Sequence, residues 1–244
     1  MASPDEELMD SESTDVFDKL VVRSPGKFEN FEKIDATGKY LPFYGYTIIN
    51  MVVEQQLHDL ELFIKSTQTL KKYVSALPSS SYHVTYYDIF SQRKIPEKYL
   101  SRSGLVPSNH WTQSMETLYQ DLGKAQTFCS ELPAANAFVK KQFSLGPSPG
   151  QALLLLITLE GDAEVSQLRQ KCTTVFGERG KPEFHMTLGY TYKAIPVDAL
   201  KLISKELKML WSIIPDGVQL QKPDVYYFET MEEFLPFKLR LGKI

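Results

Sequence analysis

The sequence predicts an α+β protein built as two related lobes. Three observations support this. Stretches rich in β-branched and aromatic residues, which suit strands, alternate with stretches whose apolar residues recur at helical spacing. The order strand, helix, turn, strand runs through the chain twice. Each run ends in a strand that bears the same triplet, His83-Val84-Thr85 in the first and His185-Met186-Thr187 in the second.

Taken in order, residues 1–25 read as an acidic tail. Asp5, Glu6, Glu7, Asp10, Glu12, Asp15 and Asp18 stand there with few apolar anchors, which predicts disorder. Residues 26–244 are expected to fold as one bilobed domain. Phe43 to Val52 reads as a strand. From Gln55 to Val74, the apolar residues Leu57, Leu60, Phe63, Ile64 and Leu70 predict a helix. A turn at Pro78 to Ser81 leads into the first His-x-Thr strand. Ile95 to Asn109 is a loop with two prolines, and Thr112 to Cys129 a helix. Gly146-Pro147-Ser148-Pro149-Gly150 breaks the chain, so the first lobe is placed at about 40–145 and the second at about 146–244. In the second lobe, Gln151 to Glu160 predicts a strand. Asp162 to Phe176 predicts a helix with Val165, Leu168, Cys172 and Val175 inward. A Gly- and Pro-containing turn then precedes the second His-x-Thr strand. Val197 to Trp211 predicts a helix, followed by strands near Val218 to Leu220, Asp224 to Thr230 and Phe234 to Leu241. The short link makes the last two an antiparallel pair.

With 244 residues the chain can bury a real core. It has no apolar run of the ~18 residues that a membrane span requires. The acidic N-terminus does not suit a signal peptide, so a cytoplasmic location is expected, with the nucleus also open. Cys129 and Cys172 are expected to be free thiols. No paired Cys/His spacing calls for zinc, and no cofactor or metal is expected. A monomer is expected.

The triplets point to phosphate chemistry. Side chains on a strand alternate with period two, so each triplet puts an imidazole and a hydroxyl on one face. Brought together, His83, Thr85, His185 and Thr187 would converge on one point. Histidine titrates near neutrality and can remove or deliver a proton. Two imidazoles on opposite sides of a phosphorus suit in-line displacement, and the threonine hydroxyls can donate to the equatorial oxygens without adding charge.

A lone His-x-Thr is more often structural than functional, and the chain contains its own control. His110-Trp111-Thr112 runs into a helical stretch, where positions i and i+2 do not share a face. His110 therefore reads as a loop or helix-start residue, and His58 as a solvated helical one. Tyr87 would share the face of His83 and Thr85 if no bulge intervenes. Tyr46, Tyr190, Tyr192, Tyr226 and Tyr227 are further candidates for stacking on a base. Arg93, Arg179 and Lys181 lie near the triplets and could draw in an anion. No dense Lys/Arg patch of the kind that binds long duplexes is present. The expected partner is a nucleotide or short oligonucleotide, with no long duplex and no membrane.

Two strand-borne His-x-Thr motifs in a small α+β chain resemble the 2H phosphoesterase superfamily, over roughly residues 40–244. Its members include RNA 2′,5′-ligase-like proteins and cyclic phosphodiesterases. The resemblance implies a bilobed fold with pseudo-two-fold symmetry, mostly antiparallel sheets and a central cleft. It also implies that one of His83 and His185 acts as base and the other as acid, with Thr85 and Thr187 on the phosphate. Where some members have a basic residue shortly after the second motif, this chain has Gly189 and Tyr190.

The expectation is a metal-independent phosphodiesterase for a cyclic or 2′-linked nucleotide: a 2′,3′-cyclic phosphate, 2′,5′-oligoadenylate or a cyclic dinucleotide. The rival is a non-catalytic nucleotide- or RNA-binding module on the same fold. A scaffold in which the paired triplets are accidental is the weakest reading.

Overall fold

The computed structural model describes residues 17–26, 31–53, 57–99, 109–132, 137–159, 162–179 and 183–238, with the side chains at 109–114 and 162 outside the description. Among the described residues the fold is α+β, a large mixed sheet with four α-helices. In chain order the elements are β1 (Leu20–Val22), β2 (Gly45–Met51), α1 (His58–Ser66), β3 (Val74–Ala76), β4 (His83–Ser91), α2 (Asn109–Ser130), β5 (Ala137–Leu145), β6 (Ala152–Leu159), α3 (Asp162–Phe176), β7 (His185–Thr191), α4 (Val197–Ile213), β8 (Gly217–Gln219), β9 (Asp224–Thr230) and β10 (Glu233–Pro236). The strands run in the order β1-β5-β6-β7-β4-β2-β9-β10, with β3 added on β7 and β8 on β5. All pairings are antiparallel except β1 on β5.

This order overturns the expected break at 145/146. β5 precedes that break but pairs with β6, which follows it. β9 and β10 come last in the chain yet extend the half of the sheet that holds β2 and β4. The Gly-Pro segment is a turn between paired strands: Gly146 donates its N–H to the Ala152 carbonyl. β5 itself is not anticipated by the sequence pattern, because Lys140, Lys141 and Gln142 interrupt its apolar alternation and a register shift falls between Lys140 and Gln142.

The tail is corrected at its inner end. Residues 1–16 lie outside the described residues, but Leu20 is buried and β1 pairs with Phe143 to Leu145. Phe17 sets its ring edge-on to Trp211 at 5.9 Å and donates its N–H to the Ser204 hydroxyl. One apolar turn and a Leu-Val-Val strand are thus enough to dock the segment.

The helix predicted to run to Val74 stops at Ser66. Thr67 leaves helical geometry, and its hydroxyl bonds the Ile64 carbonyl, a local bond that competes with helix continuation. A 3₁₀ turn and β3 take up the remainder. α4, expected over Val197 to Trp211, runs on to Ile213 and buries Ala199, Ile203, Leu207 and Leu210 at helical spacing. α1 packs on β3 and α4, whereas α2 and α3 pack on each other and on β9 and β4 respectively. Among the described residues no helix is long and apolar enough to cross a membrane.

Candidate functional site

β4 and β7 meet at one register pair, Val84 opposite Met186, and both side chains are fully buried. The residues flanking that pair are those of the two triplets. Because the strands are antiparallel, His83 stands at the Thr187 end of the junction and Thr85 at the His185 end. All four line one cleft of about 610 Å³.

The two imidazoles are held in the same way. His83 Nδ1 lies 2.7 Å from the Ser81 carbonyl, and His185 Nδ1 lies 2.9 Å from the Glu183 carbonyl. A carbonyl can only accept, so each ring donates from a protonated Nδ1. In the neutral form, Nε2 of each ring is then the basic nitrogen. The His83 ring also packs on Phe234 at 4.2 Å. Burial pulls the His83 pKa down to about 4. The Ser81 carbonyl opposes this, and the charges of His185 and Lys33 add to it.

Each triplet is followed at once by a β-bulge. On β4, Thr85 pairs with Ile49 and Tyr87 with Ile48, so Tyr86 is the extra residue. On β7, Thr187 pairs with Leu154 and Gly189 with Leu153, so Leu188 is extra. A bulge reverses which side chains face the cleft beyond it. Tyr87 is consequently not in the cleft. Its hydroxyl donates to the Gly177 carbonyl, and its ring packs on Phe176. Asp88 and Tyr190, each three residues past its threonine, line the cleft instead.

The cations are arranged differently from the sequence expectation. Lys33, which the pattern does not mark, projects into the cleft. Its Nζ donates to the Tyr190 hydroxyl at 3.1 Å and lies over the rings of Phe43 and Tyr190 at 4.8 and 5.2 Å. The backbone around it is fixed by the fully buried Ile34 and by the turn at Asp35, whose carboxylate accepts from the Thr37 and Lys39 N–H groups. Such a turn residue two positions after a lysine is the faint signal that was available. Arg93 also lines the cleft, but it is paired with Glu32. Arg179 lines it while donating Nε to the Asp88 carbonyl and Nη2 to the Ile89 carbonyl. Lys181 lies outside the described residues.

Tyr46 and Tyr227 are corrected too. They stand on the other face of the sheet, their rings 5.6 Å apart, and line a separate groove of about 1210 Å³ under α2. Strand alternation explains this, since their neighbours Thr47 and Phe228 face the histidines. Tyr192 donates its hydroxyl to the Lys71 carbonyl, and Tyr226 is buried in the core. His58 begins α1 exposed, with Nδ1 3.3 Å from the Ser79 hydroxyl. His110 lies at the start of α2, with its side chain outside the description. Cys129 and Cys172 are free and buried.

Fold and site together define an α+β protein with two matched histidines across a strand junction. No family model matches the chain. It is 27% identical, over 223 aligned residues covering 84% of this chain and 93% of that protein, to uncharacterized protein 127L of Invertebrate iridescent virus 6. Among solved structures it is similar to the conserved protein of unknown function ATU0111 from Agrobacterium tumefaciens, with a TM-score of 0.61 and 20% identity, covering 88% of this chain and 93% of that one. At that identity the likeness shows a shared fold.

Proposed function

We propose that this protein is a metal-independent phosphodiesterase of the 2H type, acting on a cyclic or 2′-linked nucleotide. The observation behind the proposal is the matched pair of imidazoles, each with Nδ1 tied to the carbonyl two residues before it and each with a threonine two residues after it. The sheet order supports a bilobed pseudo-two-fold arrangement. Outward from the junction, β4-β2-β9 matches β7-β6-β5, antiparallel throughout, and a helix links β2 to β4 just as one links β6 to β7.

In this reading the phosphate sits between the two Nε2 atoms. His83, kept neutral by burial, takes a proton from water. The water oxygen bonds to phosphorus, the bond to the leaving oxygen breaks on the opposite side, and His185 delivers a proton to that oxygen. Thr85 and Thr187 donate to the equatorial oxygens. Lys33 supplies the positive charge that the chain lacks after its second triplet, and Tyr190 positions it.

The test is hydrolysis in EDTA of 2′,3′-cyclic nucleotides, 2′,5′-oligoadenylate and cyclic dinucleotides by wild type, His83→Ala and His185→Ala. Turnover is expected in wild type, with a loss of roughly 10²–10⁴-fold in each variant, the usual worth of a general acid or base. Binding without turnover would favour a nucleotide-binding module, and activity surviving both substitutions would place the site elsewhere.

A further inference from the structure

Beyond Val84 and Met186, β4 parts from β7, and an edge of β4 would be left with unpaired carbonyls. Two arginines take them. Arg169 Nε donates to the Tyr86 carbonyl at 2.8 Å. Arg179 donates to the Asp88 and Ile89 carbonyls at 2.9 and 2.6 Å. Between this capped edge and α3 lies a groove of about 870 Å³. Thr85, Asp88 and Arg179 line both the groove and the histidine cleft, so the two cavities adjoin along these three residues.

The far wall of the groove is one face of α3. Ser166, Gln167, Gln170 and Thr173 line it, at the spacings of three, four and seven residues that share a helix face. These groups are neutral and include both donors and acceptors. Among the described residues, the one carboxylate lining the groove is Asp88, at the boundary with the cleft. A neutral wall of amides and hydroxyls, entered past two guanidinium groups, suits a nucleobase and its ribose. Each cavity falls in the range of about 300–1,000 Å³ that holds a drug-sized molecule.

We propose that the α3 groove is the subsite for a second nucleoside, so that the substrate is a dinucleoside phosphodiester. This rests on the phosphodiesterase reading above. The phosphate lies between His83 and His185, and the leaving nucleoside lies along Gln167 and Gln170. Thr85 stands at the His185 end of the strand junction, which puts the leaving oxygen beside the proposed acid. Water adds its oxygen to phosphorus and loses a proton to His83. The phosphorus–oxygen bond to the groove-bound nucleoside breaks, and that oxygen takes its proton from His185.

The experiment compares kcat/KM, in EDTA, for 2′,5′- and 3′,5′-linked adenylyl-adenosine and for methyl esters of AMP, in which methanol leaves in place of the second nucleoside. It uses wild type and the double variant Gln167→Ala/Gln170→Ala. Both glutamines are exposed, so the fold should survive, and circular dichroism checks this. Wild type is expected to prefer one dinucleotide over the methyl esters by at least about tenfold, the equivalent of ~1.4 kcal/mol. The double variant should lose about tenfold on that dinucleotide through KM while staying within about twofold on the methyl esters, which have no leaving nucleoside for the amides to hold. Equal effects on both substrates, or none on either, would overturn the subsite while leaving the phosphodiesterase standing. Hydrolysis of no probe by wild type would overturn the phosphodiesterase reading and the subsite with it.

Discussion

Val84 and Met186 face each other across the junction of β4 and β7, and neither is exposed to solvent. The pair sets the distance between the triplets on either side of it. A change of side-chain volume there would move both imidazoles at once. The geometry of the cleft therefore depends on a buried hydrophobic contact outside its lining.

Met186→Ala should uncouple the histidines without removing either. A buried methionine reduced to alanine costs about 2–5 kcal/mol. Thermal unfolding should report that loss, and hydrolysis under conditions where the variant remains folded should fall further than Met186→Leu, which keeps the volume.

His83 makes stability fall in acid. Its folded pKa of about 4 lies below the ~6.5 of an unfolded histidine. Between those values the unfolded chain binds the extra proton, so the stabilisation present above pH ~6.5 is lost as pH falls through about 4. Unfolding temperatures measured from pH 7 to 4 should decline less steeply in His83→Gln than in wild type.

On the proposed mechanism the same group sets the acid limb of the pH profile. kcat/KM should rise with pH around an inflection near 4 and fall again once the acid is deprotonated, giving a bell. The charge of Lys33 helps hold the His83 pKa down, so Lys33→Met should move the acid inflection upward. It should also raise KM about tenfold, whereas Lys33→Arg should retain the inflection. An unmoved inflection in Lys33→Met would remove Lys33 from the cleft's electrostatics.

Thr85→Val and Thr187→Val should each lower kcat by roughly 10²-fold, the loss seen when one preorganised donor is removed. A loss confined to KM would mean that the hydroxyls bind the ground state alone.

Gly189→Ala should damage the second triplet from behind. A Cβ there would lie 2.3 Å from the Ser75 carbonyl on β3, a backbone atom with nowhere to go. Overpacking of this kind costs about 1–3 kcal/mol. The variant should unfold earlier and lose activity through displaced Tyr190.

The four triplet residues were legible because period-two spacing and duplication both mark them. Tyr87 was not, since its placement hangs on the bulge at Tyr86, and nothing in Thr-Tyr-Tyr-Asp signals an extra residue. The bulge at Leu188 likewise singles out Tyr190 from the other tyrosines. Lys33 was hidden for another reason: it reaches the cleft from a segment far from either triplet and outside every periodic stretch. The crossing of β5 and β9 to opposite halves of the sheet escaped as well, because local pattern fixes which residues form strands and says little about which strands become neighbours.

That crossing has a consequence for how the protein is made. β4 and its first triplet leave the ribosome early, but the half-sheet around them needs β9 and β10 from the far end of the chain. Pairings so distant in sequence are slow to form. The half-sheet of β7, β6, β5 and β1 has all its strands once β7 is made, whereas β2 and β4 must wait for β9 and β10. A cut between β7 and β9 would therefore leave the second triplet on a filled half-sheet and the first on one that lacks its outer strands.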